Sequence, residues 1–217
     1  MRSRVTEQTV GRLSLYRRLL ARLHARHTQH IYSHELAEAA GVTAAQVRRD
    51  LMVLGCSGSP RHGYEVAELA AAIDDCLDAP EVQCVAVIGI GNLGRALLAF
   101  FASRHPNLRV VAGFDNDPLK TDHVVHGCRV YAMERLAQVA AERGIRIVML
   151  TVPASEAQKV ADLCVAADMR GILNFAPVPL HVPEGVYVSD VDLTMSLEKV
   201  AFFARQANGA QGKPAGG

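Results

Sequence analysis

The glycines of GIGNLG, residues 89–94, have the spacing of a dinucleotide-binding turn. The apolar segment CVAVI (84–88) precedes them, and the apolar segment ALLAF (96–100) follows with helical character. In a frame of strand, turn and helix, Gly89 permits the tight turn, Gly91 lets the backbone approach a pyrophosphate, and Gly94 lets the helix pack on the strand. The helix N-terminus then faces the phosphates. The motif predicts a nucleotide site; the alternative is a glycine-rich turn without a ligand.

A carboxylate follows at the distance that such a site requires. Asp115, in FDNDP (114–118), lies 21 residues beyond Gly94, where an acidic side chain hydrogen-bonds the adenosine ribose hydroxyls. Its charge would repel a 2′-phosphate, and no arginine occupies the next few positions, although Lys120 is near. We therefore expect NADH and NAD⁺ rather than their phosphorylated counterparts. The alternative is that Asp115 only caps a turn.

Two further segments, TVPAS (151–155) and NFAPV (174–178), end predicted strands. The carboxyl ends of parallel strands line the ligand crevice of such sheets. Apolar and amide side chains there suit a nicotinamide ring; the alternative is a pair of strand-terminating turns. The expected cofactor site comprises Gly89, Ile90, Gly91, Asn92, Leu93, Gly94, Asp115, Asn116, Lys120, Thr151, Val152, Pro153, Asn174, Phe175 and Ala176.

Candidate proton donors and acceptors lie outside these segments. Oxidation of an alcohol by NAD⁺ needs a general acid or base at the nicotinamide. The available candidates have no recognisable catalytic spacing: His105, His123, His126, Lys159 and His181. Since no segment is left to form a substrate domain, we predict that the protein is not an enzyme and has no catalytic residue.

The chain is basic at its start and acidic in the rest. Residues 1–63 contain ten arginines, no lysine and four acidic residues, a net charge of +6, whereas the whole chain carries only +1. Residues 64–217 therefore carry −5. A basic N-terminal segment (residues 1–63, the basic front) followed by an acidic remainder favours a polyanion as the partner of the basic front. The alternative is an arginine-rich solvated surface.

Within the basic front, two short helices are predicted on either side of a tight turn. Ser33 would cap the first helix and Gly41 would end it, and Thr43 would cap the second, which ends at Gly55. Because Gly41, Val42 and Thr43 leave room only for a tight turn, the pair is predicted to be a helix-turn-helix. The alternative is a structural helical hairpin.

The second of these helices has side chains suited to reading DNA. Its core face contains Val47 and Leu51, so that Gln46 and Arg49 point away from the core and Arg48 flanks it. Arginine reads guanine edges or contacts phosphate, and glutamine reads adenine. We expect Arg49 to be the base reader and Arg48 the phosphate contact. The predicted DNA contacts of this helix are Thr43, Gln46, Arg48 and Arg49.

These motifs require two different architectures in one chain. Helices at about 9–26, 33–40, 43–54 and from residue 66, with a loop or small hairpin in CSGSPRHGYEV (56–66), form a predicted DNA-binding domain over 1–80. From residue 81 apolar strands alternate with amphipathic helices, which predicts a doubly wound parallel sheet over 81–190. A final helix over 191–207 is too apolar for a free surface helix, and residues 208–217 are predicted to be a disordered tail.

Composition also bears on the cellular location, the state of the cysteines and the binding of metal. No segment approaches the length of a membrane span, and the N-terminus lacks the apolar segment of a signal peptide, so we expect a cytoplasmic protein. The five cysteines are scattered without a Cys-x-x-Cys pair, which favours reduced structural thiols over redox-sensing ones. No acid or cysteine joins His24, His27 and His30 at ligand spacing, so we expect no metal.

Taken together, the segments RLSLYRRLL, ELAEAAGVTAAQVRRDL, GIGNLGRALL, FDNDPLK, LTVPA, GILNFAPV and DVDL resemble the Rex family of redox-sensing transcriptional repressors over about residues 10–205. The resemblance implies an N-terminal winged helix, a Rossmann domain and a C-terminal helix exchanged between the subunits of a homodimer. It also implies an inverted-repeat operator, which the family leaves when NADH is high, and repression of fermentation and anaerobic-respiration genes.

The resemblance adds several site residues. Family members commonly have Gly-x-x-Gly-x-Arg-Gly-Val-Gly-Tyr through the wing, whereas GCSGSPRHGY (55–64) places Pro60 at the arginine position and displaces Arg61 by one. We expect Arg61 and His62 to contact DNA. Phe100 stands where the family often has Tyr. Arg18 and Asp192 match positions that are thought to exchange salt bridges between states in the family.

The sequence therefore predicts an NADH-responsive homodimeric repressor whose DNA and NADH affinities are linked and reciprocal. The first alternative is a small NAD-dependent oxidoreductase with an accessory helical domain, which cofactor turnover would reveal. The second is a structural dimer with a vestigial nucleotide site.

Overall fold

The computed structural model describes residues 5–102 and 107–210, with side chains as far as residue 206. The chain forms two compact units, Met1–Pro80 and Glu81–Gly217. Within the described residues, no helix combines the length and the apolar character needed to cross a membrane.

The first unit is a winged helix. It consists of α1 (Glu7–Ala25), β1 (His30–Ile31), α2 (Ser33–Ala40), α3 (Ala44–Val53), β2 (Tyr64–Glu65) and α4 (Val66–Leu77). β1, which the sequence did not predict, pairs antiparallel with β2. The segment between α3 and β2 folds back on itself through a bridge between Ser59 and Gly63, which forms the wing. The helices enclose a core built around Leu13, Leu20, Leu51 and Ile73.

The turn between α2 and α3 follows from its residue types, with one correction. Gly41 has φ of +67° and ends α2, and the Thr43 hydroxyl accepts the Gln46 backbone N–H at 3.2 Å, which caps α3. Ser33 is not the cap of α2, contrary to prediction. It is the first helical residue, and the Glu35 carboxylate takes over the capping by accepting the Tyr32 backbone N–H at 2.7 Å.

A buried ion pair joins α1 to α3. Asp50 is only 2% exposed, and its carboxylate accepts Arg12 Nε at 2.6 Å, Arg12 Nη2 at 2.8 Å and the Tyr16 hydroxyl at 3.0 Å. Burial alone would raise the pKa of Asp50, but hydrogen bonds from Arg12, Gln46 and Tyr16 outweigh it and hold that pKa below its ordinary value. Asp50 is therefore ionised and bound on both of its oxygens.

The second unit is a Rossmann fold. Its elements are β3 (Gln83–Ile88), α5 (Asn92–Phe101), β4 (Leu108–Asp115), β5 (Val124–Val125), β6 (Cys128–Ala132), a 3-10 helix (Met133–Arg135), α6 (Leu136–Arg143), β7 (Ile145–Leu150), α7 (Ala154–Ala166), β8 (Gly171–Asn174), β9 (Tyr187–Asp190) and α8 (Leu193–Ala210). Ala86 and Ile88 of β3 pack on the side of α6 and α7, and Val85 and Val87 pack on the opposite side, with α5. Helices thus cover both faces of the sheet.

The strand order creates one reversal in the middle of the sheet. The order is β5-β6-β4-β3-β7-β8-β9, and every neighbouring pair is parallel except the hairpin of β5 and β6. The chain runs outward from β3 to β4 and β6, and then returns to the other side of β3 with β7. The carboxyl ends of β3 and β7 therefore diverge, which opens a crevice at this point of the sheet.

Three boundaries differ from the sequence prediction. The β5 strand was missed, and β6 extends beyond the short RVY strand, because two-residue and hairpin strands lack a readable apolar period. α8 continues to Ala210, three residues beyond its predicted end at residue 207. Residues 211–217 of that predicted tail lie outside the described residues, as do residues 103–104 of the predicted helix after the glycine motif.

The ion pair of Asp50 gives a stability prediction. Asp50→Ala should lower the free energy of unfolding by about 3 kcal/mol, because it leaves the Arg12 guanidinium and the Tyr16 hydroxyl without their partner. Tyr16→Phe, the matched control, removes one hydrogen bond and keeps the ring, and should cost about 1 kcal/mol. Urea unfolding of the full chain measures both values.

The same pair predicts a pH dependence. Because the folded pKa of Asp50 is lowered, its stabilisation is present at neutral pH and is lost as pH falls through that pKa. The stability difference between wild type and Asp50→Ala should therefore shrink on acidification. A difference that is constant from pH 7 to pH 3 would contradict this account.

Candidate nucleotide site and nucleic-acid interface

The crevice at the reversal of the sheet contains a cavity of about 500 Å³. Its walls come from the glycine turn after β3, the ends of β4 and β6, and the segment from β7 into α7. The lining residues are Ile88, Gly89, Gly91, Asp115, Asn116, Lys120, Met133, Thr151, Val152, Pro153, Glu156 and Val160. Eight residues of the predicted cofactor site are thus brought together in one cavity.

The three glycines of the turn differ in whether the folded protein has room for a side chain at their position. Gly89 has φ of +90°, and a Cβ at Gly94 would lie 2.0 Å from the Gly89 carbonyl oxygen, so neither position admits a side chain. A Cβ at Gly91 would meet no atom within 4 Å, and its φ of −79° is open to every residue. The fold therefore requires Gly89 and Gly94 but not Gly91. A glycine at 91 fits a ligand whose phosphates approach the backbone at the start of α5.

Asp115 fixes the glycine turn. Its carboxylate is 5% exposed and accepts the backbone N–H of Ile90 at 2.7 Å and that of Asp117 at 2.9 Å, while Lys120 Nζ lies 3.5 Å away. Asp115 thus braces two backbone segments as well as lining the cavity. These bonds are the ones expected if Asp115 caps a turn, which was the alternative interpretation. The predicted contact of Asp115 with ribose hydroxyls stays a prediction.

Thr151 ties the end of β7 to the same turn. Its hydroxyl donates to the carbonyl oxygens of Gly89 at 2.7 Å and Ile88 at 3.0 Å, and its backbone N–H donates to Ile88 at 2.9 Å. Val152 and Pro153 then enter the cavity wall, and Pro153 leads directly into α7. The turn is consequently held by β4 from one side and by β7 from the other.

Four lining residues were missed by the sequence reasoning: Ile88, Met133, Glu156 and Val160. Ile88 ends β3, directly before the glycine turn. Met133 follows β6, whose carboxyl end was not recognised as part of the sheet edge. Glu156 and Val160 lie one and two turns into α7, where helical spacing points them back toward the crevice. The helix-opening Pro153 was the only available signal for the two α7 residues.

Seven predicted cofactor residues do not line the cavity. Asn174 is fully buried and donates to Val178 O at 2.9 Å and to Asp190 Oδ1 at 2.8 Å, while its Oδ1 accepts the Ala176 N–H. This side chain holds β8 against β9. Phe175 and Ala176 pack in the hydrophobic cores. Ile90, Asn92, Leu93 and Gly94 form the turn and the first turn of α5 behind the cavity wall.

The chemistry of the cavity is that of a binding site. Its titratable lining residues are Asp115, Lys120 and Glu156, and the first two interact with each other. Of the general acid or base candidates in the described part of the chain, none lines the cavity; His105 lies outside the described residues. Among the described residues, no group of three or more His, Cys, Asp or Glu is placed to hold a metal ion.

The thiols have the character of packing residues. All five cysteines are free. Burial raises the pKa of Cys128 to about 11 and that of Cys164 to about 12, which keeps both side chains protonated and poorly nucleophilic at neutral pH. The pKa of Cys56 is also raised, by burial and by the nearby charge of Glu68.

The helix-turn-helix presents two arginines that are held differently. Arg48 Nη1 donates to the Ser33 hydroxyl at 3.0 Å, which ties it to the start of α2. Arg49 Nη2 donates to Gln46 Oε1 at 2.7 Å, one turn back along α3. Both arginines are exposed, and Gln46 is half-buried. Thr43 uses its hydroxyl to cap the helix.

The wing is anchored to the start of α2. The Tyr32 hydroxyl donates to the Arg61 carbonyl oxygen at 2.7 Å, and Ser59 Oγ accepts the backbone N–H groups of Arg61 and His62 at 3.2 and 3.4 Å. The departure at Pro60 therefore leaves an ordered wing. The side chains of Arg61 and His62 are exposed beside the helix-turn-helix.

The three predicted switch residues lie on separate elements. Arg18 is exposed on α1. Phe100 is half-exposed near the end of α5, in edge contact with Phe101. Asp192 Oδ1 accepts the Met195 backbone N–H at 2.8 Å and so caps α8. A role of any of these residues in switching stays a prediction.

Comparison with protein families assigns both units. The family described as "CoA binding domain" matches residues 81–178, and the family described as "Putative DNA-binding protein N-terminus" matches residues 4–51. Coenzyme A and NAD share an ADP moiety, so the first description fits the crevice at the level of nucleotide chemistry.

The similarity to individual relatives extends over nearly the whole chain. The redox-sensing transcriptional repressor Rex of Listeria welshimeri is 37% identical and that of Anoxybacillus flavithermus 39% identical, each over 93% of this chain and over 94% and 95% of the relative. The crystal structure of RSP in complex with β-NAD⁺ and operator DNA has a TM-score of 0.88 at 30% identity and covers 98% of this chain and 100% of RSP.

RSP with β-NADH has a TM-score of 0.84 at 30% identity and covers 96% of this chain and 98% of RSP. These similarities agree with the winged helix, the Rossmann sheet and the order in which the two follow each other. The chain belongs to the Rex family of redox-sensing transcriptional repressors.

Proposed function

We propose that this protein represses transcription by binding operator DNA through residues 1–80 and leaves the operator when NADH binds in the crevice of residues 81–190. The observation that carries the proposal is a nucleotide crevice and a basic winged helix in one chain of the Rex family. The relatives are named repressors rather than enzymes. We place this activity in the cytoplasm.

The composition of the crevice supports a preference for the reduced cofactor. The nicotinamide ring is neutral in NADH and positively charged in NAD⁺. Val152, Pro153, Met133 and Val160 give part of the cavity an apolar wall, and a charged ring placed against it loses solvation without a matching partner. Such a wall weakens NAD⁺ binding more than NADH binding.

A homodimer formed through α8 is the assembly that we propose. The apolar side chains of α8 are exposed in the single chain: Leu193, Met195, Leu197, Val200, Phe202 and Phe203. Exposed apolar side chains around so much of one helix mark a protein–protein interface. A two-fold dimer covers it in both chains and presents two winged helices to an inverted repeat.

Gly91 provides the test of the nucleotide site. Gly91→Val should leave the unfolding midpoint near that of wild type, because a Cβ at this position meets no protein atom within 4 Å, and should weaken NADH binding at least tenfold by blocking the pyrophosphate. Calorimetry measures the affinity. Gly11→Ala, another open glycine but in the other unit, is the control and should bind NADH normally. Normal NADH binding by Gly91→Val would place the cofactor elsewhere.

Regulation is tested by separate titrations of the two cofactors. The probe is a duplex that the wild-type protein selects from a random-sequence pool. We expect NADH to release it at a lower concentration than NAD⁺, and the duplex to weaken NADH binding by the same factor, because the linkage is reciprocal. NADPH and coenzyme A serve as controls. If the protein kept the duplex bound at every NADH concentration, the proposed repressor mechanism would be refuted.

The dimer is tested by truncation. Deleting residues 193–217 should give monomers or aggregates in sedimentation velocity, because it removes all the exposed apolar side chains of α8. Deleting residues 211–217 alone is the matched control and should leave the dimer intact. A stable dimer after the longer deletion would rule out α8 as the interface.

A further inference from the structure

The side-chain amide of Gln46 is engaged at both of its ends. Its Nε2 donates to Asp50 Oδ1 at 2.8 Å, and its Oε1 accepts Arg49 Nη2 at 2.7 Å. All three residues belong to α3, at spacings of three and four that place them on neighbouring turns. The result is a chain of hydrogen bonds from a buried carboxylate to an exposed guanidinium.

The direction of this chain is fixed by Asp50. Its carboxylate is 2% exposed and is ionised between Arg12 and Tyr16, so it can only accept hydrogen bonds. Gln46 must therefore turn its NH₂ group inward and its carbonyl oxygen outward. A carbonyl oxygen facing outward is an acceptor that a guanidinium can use, and Arg49 uses it.

We propose that Gln46 is a positioning residue that orients Arg49 for base recognition, with Asp50 as the buried anchor of the arrangement. The inference rests on the proposed function, in which α3 reads DNA. An unrestrained arginine side chain samples many rotamers, and the bond to Gln46 restricts Arg49 before DNA arrives. Arg48 is outside this arrangement because its guanidinium donates to Ser33 on α2.

The proposal changes the part that Gln46 plays in recognition. Reading adenine takes the amide oxygen and nitrogen together. In the free protein the Nε2 of Gln46 is directed inward at Asp50 and its Oε1 is shared with Arg49, so presenting the pair to a base competes with both bonds. Its contribution to specificity therefore passes through Arg49, whose guanidinium suits the O6 and N7 acceptors of guanine.

A double-mutant cycle tests this inference. Gln46→Met keeps the length and the helix propensity and removes both hydrogen bonds, while Asp50 retains Arg12 and Tyr16. On a duplex selected by the wild-type protein, Gln46→Met should lower affinity about fivefold, Arg49→Ala should lower it more, and the double variant should match Arg49→Ala alone. On an unselected duplex, Gln46→Met should change affinity less than twofold.

Base preference provides a readout that a structural role would not move. Selection from the random pool should show that Gln46→Met weakens preference at the same base pair as Arg49→Ala. The pair Gln46→Met and Arg48→Ala is the matched control and should be additive. Gln46→Leu repeats the test if the methionine variant has a lowered unfolding midpoint. An unchanged NADH affinity in each variant verifies that the unit of residues 81–217 is intact.

The outcomes separate the inference from the proposed function. Additive effects of Gln46→Met and Arg49→Ala, or loss of preference by Gln46→Met at a base pair that Arg49→Ala still reads, would overturn the positioning role while leaving α3 as the reading helix. Wild-type affinity and selectivity in both Arg48→Ala and Arg49→Ala would overturn the inference together with DNA reading by α3.

Discussion

The close approach of Gly94 to the Gly89 carbonyl is the constraint on which the nucleotide site depends. No side chain fits between them, so the first turn of α5 meets the end of β3 directly. The turn between them is then fixed by two polar anchors on different strands, the Asp115 carboxylate from β4 and the Thr151 hydroxyl from β7. Because β4 and β7 flank β3 on opposite sides, the turn is held on both sides only when all three strands are paired. The crevice is a product of the sheet rather than of the glycine motif alone.

A second polar constraint organises the winged helix. Asp50 brings Arg12 and Tyr16 of α1 to α3 and, through Gln46, connects to the exposed side of α3. A buried ion pair contributes little net stability compared with apolar packing, but its geometry is demanding. In this protein that geometry relates the orientation of α3 to that of α1. Packing of Leu51 and Leu13 alone would tolerate small rotations of α3 that the carboxylate does not.

The sequence predicted the parts of the structure that have strong local signals. The Rossmann sheet, the glycine turn, the helix-turn-helix and its caps at Gly41 and Thr43 follow from apolar period and residue type. Asp115 was placed at the cavity, but its bond to the Ile90 backbone N–H reaches a turn 25 residues away. Contacts of this range leave no local pattern. The same reason explains why the Arg12 and Asp50 pair, 38 residues apart, was missed. Asn174 was predicted as a cofactor contact from its place at a strand end, whereas its fully buried side chain bonds to Asp190 of β9 and to Ala176 and Val178 in the loop after β8.

The open space at Gly91 has a genetic consequence. Every glycine codon is one base change from an alanine codon and one from a valine codon, and at Gly91 the Cβ that either replacement adds meets no protein atom within 4 Å. Under the proposed function, such an allele would produce a repressor that still binds its operators and no longer responds to the reduced cofactor. At Gly94, by contrast, the same base changes place a Cβ 2.0 Å from the Gly89 carbonyl oxygen, so we expect them to cost the cell the folded protein rather than its response to the cofactor.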